Sequence, residues 1–317
     1  MSTRPNVLFL MSDEHRWNVS GFAGDGIVRT PTLDWLARDG VVFENAYTPS
    51  PICVPARQAM AAGLYPSSCG VRRYGEDLPS GSMTFARRFA EYAYYAVACG
   101  KLHHAGEDQM QGWIRRITME DQIAGPRYVA GAVDSEFDRY RGKAEDVRGN
   151  LNGKKWTMQK EIKRAGAGVS PYTNWDELAT RGMEYLIDEQ IVSAYYDKPH
   201  SAPLLLYLGL ANPHYPMIAP PDLFAHYLNR VSPTANRRLP SNPWHTRADN
   251  YWRGPYSVGS DGDITEREER RALAGYYANV EAMDSRYGRV LRSLLESGED
   301  LDDWIIIYTS DHGDMLG

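Results

Sequence analysis

Short apolar runs separated by helical patterns recur along the whole chain. Four of these runs contain apolar residues without polar alternation, which is typical of strands buried on both faces of a parallel sheet. They cover residues 6–11, 94–99, 203–210 and 304–309. Because such strands alternate with helices, the pattern predicts an α/β fold with a mostly parallel central sheet flanked by helices.

Helical spacing is clearest in four segments and at one cysteine. Residues 30–38 begin with Thr-Pro and end before glycine, and helical spacing also covers residues 83–92 and 176–196. A long helix is predicted after Thr265, where Glu268 completes a capping box, and Cys53 begins a shorter one. No repeat is visible, so one catalytic domain is predicted over residues 1–317, with loop excursions at about 105–172 and 217–265.

Composition and charge narrow the class of protein. A chain of 317 residues that is 43% hydrophobic and 24% charged suits one globular domain. Its net charge of −6 argues against a nucleic-acid partner, and no apolar window is long enough for a membrane span. The N-terminus has no signal peptide and the three cysteines form an odd set without metal-like spacing, so a cytoplasmic location is expected and a Cys53–Cys69 disulfide is not.

Each of the four apolar runs ends at a polar cluster. Ligands of open parallel sheets bind outside the carboxyl ends of the strands, so neighbouring strands would bring these clusters into one crevice. The clusters comprise Asp13 and Glu14, Lys101 and His103, His214, and Asp311 and His312.

Three carboxylates at two of these ends would repel one another without a cation. A divalent ion bound by Asp13, Glu14 and Asp311 removes that repulsion, and oxygen ligands suit calcium, magnesium or manganese. The imidazole of His312 adds manganese or zinc to the candidates. Taken alone, an aspartate at a turn between a strand and a helix can also be a helix N-cap.

Cys53 and Arg57 form a second candidate centre. A cysteine at a helix start lies where free backbone N–H groups favour negative charge, and Arg57 follows one turn later. A nucleophile, a cation and an anion-binding helix end are what attack on a sulfate or phosphate ester needs. Taken alone, Cys-x-Pro-x-Arg also describes a buried thiol at a helix start.

Five motifs of the chain resemble, in the same order, those of the sulfatase family. They are Asn-Val-Leu-Phe-Leu-Met-Ser-Asp at 6–13, Cys-x-Pro-x-Arg at 53–57, Gly-Lys-x-His at 100–103, Asn-Pro-His at 212–214 and Thr-Ser-Asp-His-Gly at 309–313. The resemblance implies an alkaline-phosphatase-like fold and hydrolysis of a small-molecule sulfate ester. It also implies that a formylglycine-generating enzyme oxidises Cys53 to formylglycine, an aldehyde whose hydrate is the nucleophile.

The resemblance also implies roles for the clustered residues. Asp13, Glu14, Asp311, His312 and the modified Cys53 would hold the metal, with calcium the leading expectation. Among the catalytic residues, Arg57 would brace the hydrate and the anion, Lys101 would contact the sulfate, His103 would take a proton from the hydrate, and His214 would lie near the leaving oxygen.

Departures from the family pattern keep other functions open. Glu14 replaces an aspartate of many relatives, while Asp311-His312 resembles the choline sulfatase and phosphonate monoester hydrolase branches, and residues 100–112 resemble choline sulfatases. A phosphonate monoester or phosphodiester hydrolase with the same core is therefore an alternative. A non-catalytic metal- or anion-binding remnant is another, because relatives continue past Gly317 with a further sulfate-binding lysine and a C-terminal subdomain that this sequence lacks. A homo-oligomer also stays open.

Overall fold

The computed structural model describes residues 4–73, 76–104, 106–117, 158–191, 202–233 and 264–316. Its strands are β1 (Asn6–Asp13), β2 (Tyr95–Gly100), β3 (Arg115–Ile117), β4 (Gly166–Ala167), β5 (Leu204–Pro213), β6 (Ile218–Ala219) and β7 (Trp304–Ser310). Five of them form one sheet in the order β3-β2-β5-β1-β7, and every pair is parallel. The short β4 and β6 pair separately.

Helices lie on both sides of this sheet. They are α1 (Pro31–Asp39), α2 (Cys53–Ala62), α3 (Pro66–Cys69), α4 (Phe85–Glu91), α5 (Met158–Lys163), α6 (Pro171–Ile191), α7 (Pro221–Leu228) and α8 (Glu266–Glu296). Leu8 and Leu10 of β1 belong to one buried cluster with α6 and α8, whereas Val7 and Met11 belong to another with α4. Side chains alternate along β1, so this strand contributes to two hydrophobic cores, one on each face of the sheet. The predicted α/β architecture is confirmed.

The two predicted helix starts are capped in different ways. Thr265 and Glu268 form the predicted capping box at the start of α8, with each side chain bonded to the other residue's backbone. At α1 the side chain of Thr30 makes no capping bond. Instead the carboxylate of Asp284, on α8, accepts the N–H groups of Thr32 and Leu33 at 3.0 and 2.8 Å. The long helix thus fixes the start of α1 as well as packing on the sheet.

The prediction that the last strand is buried on both faces is wrong. Trp304 is buried, but Ile305 and Ile307 are 48% and 41% exposed. The strand β7 lies at the edge of the sheet, and the face that carries Ile305 and Ile307 is only partly covered by the described residues. The apolar run without alternation therefore predicted the strand β7 correctly, but it did not predict that one face of the strand is partly exposed.

The loop excursions contain regular structure that the sequence reading missed. The first includes β3, α5 and β4, and the second includes β6 and α7; residues 118–157 and 234–263 lie outside the described part. The signal for α7 was present, because Pro221 lies in its first turn while Phe224 and Tyr227 are buried at helical spacing. The apolar run Val-Val-Phe at residues 41–43, whose composition also favours an extended conformation, belongs to neither sheet.

Two further expectations concern cysteines and membranes. Cys53 and Cys69 form no disulfide with each other, as expected, and neither does Cys99 with either of them. Within the described ranges, no helix combines the length and the apolar character that crossing a bilayer requires.

Candidate active site

The sheet order brings the four polar strand ends to one edge. Strand β1 lies between β5 and β7, and its Asp13 is paired with Pro213, directly before His214. On the other side Ser12 is paired with Ser310, directly before Asp311. Lys101 follows β2, the other neighbour of β5, and its N–H donates to Gly209 O at 2.8 Å. The predicted convergence of the clusters is thus present.

Asp13 is the common member of three groups of potential ligands. In each group, one ligand atom of every residue lies within 4.8 Å of the others. The groups are Asp13 with Cys53 and His103, Asp13 with Glu14 and His214, and Asp13 with Asp311 and His312. The six other potential ligands among the predicted residues therefore surround the carboxylate of Asp13.

The donor set suits a divalent cation. Asp13 Oδ1 and Glu14 Oε2 are buried and have no hydrogen-bond partner among the described residues. Burial, together with the charges of Asp13 and Asp314, raises the pKa of Glu14 well above its usual value. Burial and Asp13 also raise the pKa of Asp311. A cation would supply the missing partner for the free oxygens and stabilise both ionised carboxylates.

Glu14 owes its position to an uncommon backbone conformation. Its φ of 60° lies in the left-handed region, which few residues other than glycine adopt. Its N–H donates to Asp311 Oδ1 at 3.1 Å, and its carbonyl accepts from Tyr276 OH at 2.6 Å. These bonds hold the turn after β1 against α8 and against the residue that follows β7, so that Glu14 faces the same centre as Asp13.

His312 presents one nitrogen to the centre. Its Nδ1 lies 2.9 Å from Gly313 O, which can only accept, so Nδ1 carries the proton and Nε2 keeps a lone pair in the neutral ring. Nε2 lies 3.8 Å from Asp311 Oδ1. Burial alone would lower the pKa of His312, but Asp311, Asp13 and Glu14 outweigh it and raise that pKa.

Cys53 is the first residue of α2, as predicted, and is buried beside Asp13 and His103. The start of α2 directs free backbone N–H groups and positive dipole potential toward the cluster. The predicted nucleophile therefore lies at the candidate metal centre.

Arg57 is almost completely buried, with 1% exposure, and contacts both aspartates. Nε donates to Asp311 Oδ2 at 2.8 Å and Nη2 donates to Asp13 Oδ2 at 3.2 Å. The remaining donors reach Lys101 O, Tyr207 OH and Ser12 O. All five N–H groups of the guanidinium are thus used within the protein. The predicted effect of Arg57 on a bound anion would therefore be indirect, through Asp13 and Asp311.

Lys101 also pairs with Asp13. Its Nζ lies 2.6 Å from Asp13 Oδ2 and 5.8 Å from the centre of the Tyr172 ring. Burial alone would raise the pKa of Asp13, but Lys101, His214 and Arg57 outweigh it and hold that pKa well below its usual value. Burial would lower the pKa of Lys101, but Asp13 raises it well above its usual value. Both groups are therefore charged at neutral pH.

His214 follows β5 and faces Glu14 across the site. Its Nδ1 lies 2.5 Å from Tyr215 O and so carries the proton, while Nε2 lies 3.9 Å from Glu14 Oε1. Its ring packs on Tyr215 and edge-on against Tyr172. Nε2 is thus the atom that is directed to the centre.

Several supporting residues were missed by the sequence analysis. Tyr308 OH contacts Ser12 Oγ at 2.9 Å and also His15 Nδ1, while Ser310 Oγ accepts from His15 N–H at 2.9 Å. Burial lowers the pKa of His15 to about 4, so its ring is neutral. These contacts tie the ends of β1 and β7 together. In the sequence motifs, Ser12 and Ser310 only precede the aspartates, and nothing there indicates their hydrogen bonds to Tyr308 and His15.

Comparison with known proteins matches the whole of the described site. The family model described as Sulfatase matches residues 5–317. A choline-sulfatase of Rhizobium meliloti is 27% identical over 99% of this chain and 58% of its own length. An arylsulfatase of Clostridium perfringens is 26% identical over 99% of this chain and 64% of its own length. The chain thus spans about three fifths of these curated relatives.

Solved structures agree on the fold. A phosphonate monoester hydrolase of Agrobacterium radiobacter superposes with a TM-score of 0.63 at 19% identity, covering 99% of this chain and 64% of that one. A second, from Silicibacter pomeroyi, gives a TM-score of 0.67 at 20% identity, covering 99% and 63%. The fold is alkaline-phosphatase-like, as expected, and the family's homologues are sulfuric ester hydrolases. The chain belongs to the sulfatase family.

Proposed function

We propose that this chain carries the catalytic centre of a hydrolase that cleaves the S–O bond of a small-molecule sulfate ester. The observation that carries the proposal is the proximity of Cys53, Asp13 and His103, whose ligand atoms lie within 4.8 Å of one another. The proposed nucleophile, a carboxylate that can bind the metal and a possible proton acceptor therefore lie next to one another. Membership of the sulfatase family supports the same reaction.

The metal would be held by Asp13, Glu14, Asp311 and His312, together with the modified residue 53. Three carboxylates favour a hard ion, with calcium first and magnesium, manganese or zinc as alternatives. Such an ion, when bound, offsets negative charge on the ester oxygens and on the nucleophile. Arg57 holds Asp13 and Asp311 in place for it through the bonds described above.

The nucleophile would come from Cys53 after its oxidation to formylglycine by a formylglycine-generating enzyme. The hydrate of that aldehyde offers one hydroxyl for attack and a second for release of sulfate. His103 is positioned to accept a proton from residue 53, since both lie in one ligand group. His214 Nε2 is directed to the centre from the other side, where a protonated ring would assist the leaving alcohol.

Charge favours a monoanionic ester. The charges of the three carboxylates proposed as ligands, of Lys101 and Arg57, and of a divalent ion would together sum to one positive charge. A sulfate monoester carries one negative charge, and so does a phosphonate monoester. The second candidate function, phosphonate monoester hydrolysis, is therefore supported by the same charge balance and by Asp311-His312. A non-catalytic metal- or anion-binding remnant predicts binding without turnover.

The first test is mass spectrometry of the peptide that carries Cys53, in protein produced together with a formylglycine-generating enzyme. We expect conversion of Cys53 to formylglycine, and turnover of an aryl sulfate, choline sulfate or phenyl phosphonate by the converted protein. An unmodified thiol would remove the proposed nucleophile. Full conversion with no turnover of any of these esters would favour the non-catalytic alternative. The cytoplasmic location, the absence of nucleic-acid and membrane partners and a homo-oligomer stay predictions.

Removing one carboxylate should empty the metal centre. Asp311→Ala deletes a ligand that is fully buried and bonded to Arg57, so we expect the bound metal, measured by plasma mass spectrometry after dialysis, to fall at least about tenfold. Asp303→Ala, an exposed aspartate before β7, is the matched control and should keep its metal. Equal metal in both variants would reject the assignment of Asp311 as a ligand.

A further inference from the structure

The turn that carries His103 adopts a conformation that needs external support. His103 has a φ of 58°, and its side chain is buried. A residue other than glycine is strained in the left-handed region, so surrounding contacts must hold it there. Those contacts decide where the imidazole points.

The carbonyl of His103 is held by Gln58, which follows Arg57 on α2 and is completely buried. Gln58 Nε2 donates to His103 O at 2.9 Å. Its Oε1 accepts from Gln111 Nε2 at 3.1 Å. A carbonyl can only accept, and Gln111 donates through an amide nitrogen, so these two bonds fix the orientation of the Gln58 amide.

The second N–H of Gln58 reaches the next residue of the same turn. Nε2 lies 3.2 Å from His104 Nδ1, which must then accept. Burial, with Arg116 and Arg57, lowers the pKa of His104 well below its usual value, so a neutral ring with a free Nδ1 lone pair is its stable form. One amide therefore holds two successive residues of the turn.

The amide of Gln58 is itself held in place. Gln111 Nε2 also donates to Asp77 Oδ1 at 2.9 Å, and the backbone N–H of Gln111 donates to Asp108 Oδ1 at 2.9 Å. The carbonyl of Gln111 accepts from Thr84 Oγ1 at the start of α4. The amide is thus fixed from both ends, by α2 and by this chain of bonds.

We propose that Gln58 is a positioning residue that fixes His103 against residue 53. The helix that presents Cys53 and Arg57 also presents Gln58, so the nucleophile and its proton acceptor are placed by one rigid element. Gln58 touches no reacting atom and acts only through His103. The proposal rests on the proposed function for the role of His103 in the reaction.

The test compares Gln58→Met with Gln109→Met in the full chain, produced with a formylglycine-generating enzyme and checked for conversion of Cys53. Methionine keeps the length of glutamine and removes both donors. Gln109 lies near the same turn, but its side chain bonds only to Gly106 O among the contacts described. With a sulfate or phosphonate ester we expect Gln58→Met to lower kcat about tenfold to a hundredfold, with KM changed less than about twofold, because misplacement of a reacting group affects the chemical step.

Hydrogen exchange gives a second readout that needs no turnover. In Gln58→Met, amides of the peptide that carries His103 should exchange about tenfold faster, since the loss of its hydrogen bonds frees the turn. Gln109→Met should match the wild type in kcat and in this exchange. Gln111→Met removes the support behind Gln58 together with the bond to Asp77, and leaves both bonds from Gln58 to the turn. It should show a smaller change of the same kind and serves if Gln58→Met does not fold.

The outcomes separate the two proposals. Equal exchange in Gln58→Met and wild type overturns the positioning role, and so does faster exchange with unchanged kcat. If converted wild-type protein hydrolyses none of the esters, the proposed function fails. In that case, faster hydrogen exchange in Gln58→Met would still show that Gln58 fixes the position of His103, and unchanged exchange would still reject that role.

Discussion

Arg57→Met should lower the free energy of unfolding of the metal-free chain by about 3–5 kcal/mol, because it leaves buried charges without their partner. The guanidinium is 1% exposed and bonds to Asp13 at 3.2 Å and to Asp311 at 2.8 Å. Lys101 pairs directly only with Asp13, so Asp311 would lose its closest cationic partner and keep the weaker attraction of His312 and Lys101. Urea denaturation followed by circular dichroism measures the difference.

Arg38→Met is the matched control for this prediction. Arg38 also pairs with an aspartate, at 2.8 Å, but its side chain is 69% exposed. Exposed pairs contribute about 0–1 kcal/mol, so the control should be close to the wild type. A saturating divalent cation should recover part of the loss in Arg57→Met, because it offsets the same two carboxylates. Equal unfolding free energies for the two variants would show that the buried charges are compensated without Arg57.

The site could be predicted from the sequence because its residues follow recognisable elements. Asp13, Lys101, His214 and Asp311 each come directly after a strand or at its last residue, and a parallel sheet places such ends at one edge whatever the details of packing. The order of the strands was not predicted, since nothing in an apolar run states which run lies beside it. The order was not required for the prediction, because the polar residues converge whenever the strands are parallel and adjacent.

What the sequence did not indicate depends on long-range contacts of ordinary residues. Nothing in the sequence joins Gln58 to His103 or His15 to Tyr308, because hydrogen bonds between residues 45 or 293 positions apart leave no local pattern. The role of Arg57 illustrates the same limit. Its spacing from Cys53 placed it at the centre, but only the structure shows that its donors are used by carboxylates and carbonyls.

Monoanionic esters should be hydrolysed far faster than dianionic ones at pH 8, with kcat/KM for 4-nitrophenyl sulfate about a thousandfold above that for 4-nitrophenyl phosphate. The three proposed carboxylate ligands, Lys101, Arg57 and a divalent ion would sum to one positive charge, so these groups would not match a second negative charge on the ester. At about 4 Å and an effective dielectric constant of about 20, one unmatched charge corresponds to about 4 kcal/mol. That energy is roughly a thousandfold in kcat/KM.

Lowering the pH from 8 to 5 should narrow this gap, and the direction follows from the substrate. A phosphate monoester loses its second proton with a pKa of about 6, so it is a dianion at pH 8 and mainly a monoanion at pH 5. The sulfate ester keeps a single charge throughout, and protein titrations that affect both esters equally cancel in the ratio of the two kcat/KM values. A ratio that stays constant between pH 8 and pH 5 would contradict discrimination by charge and would leave shape or leaving-group chemistry as its basis.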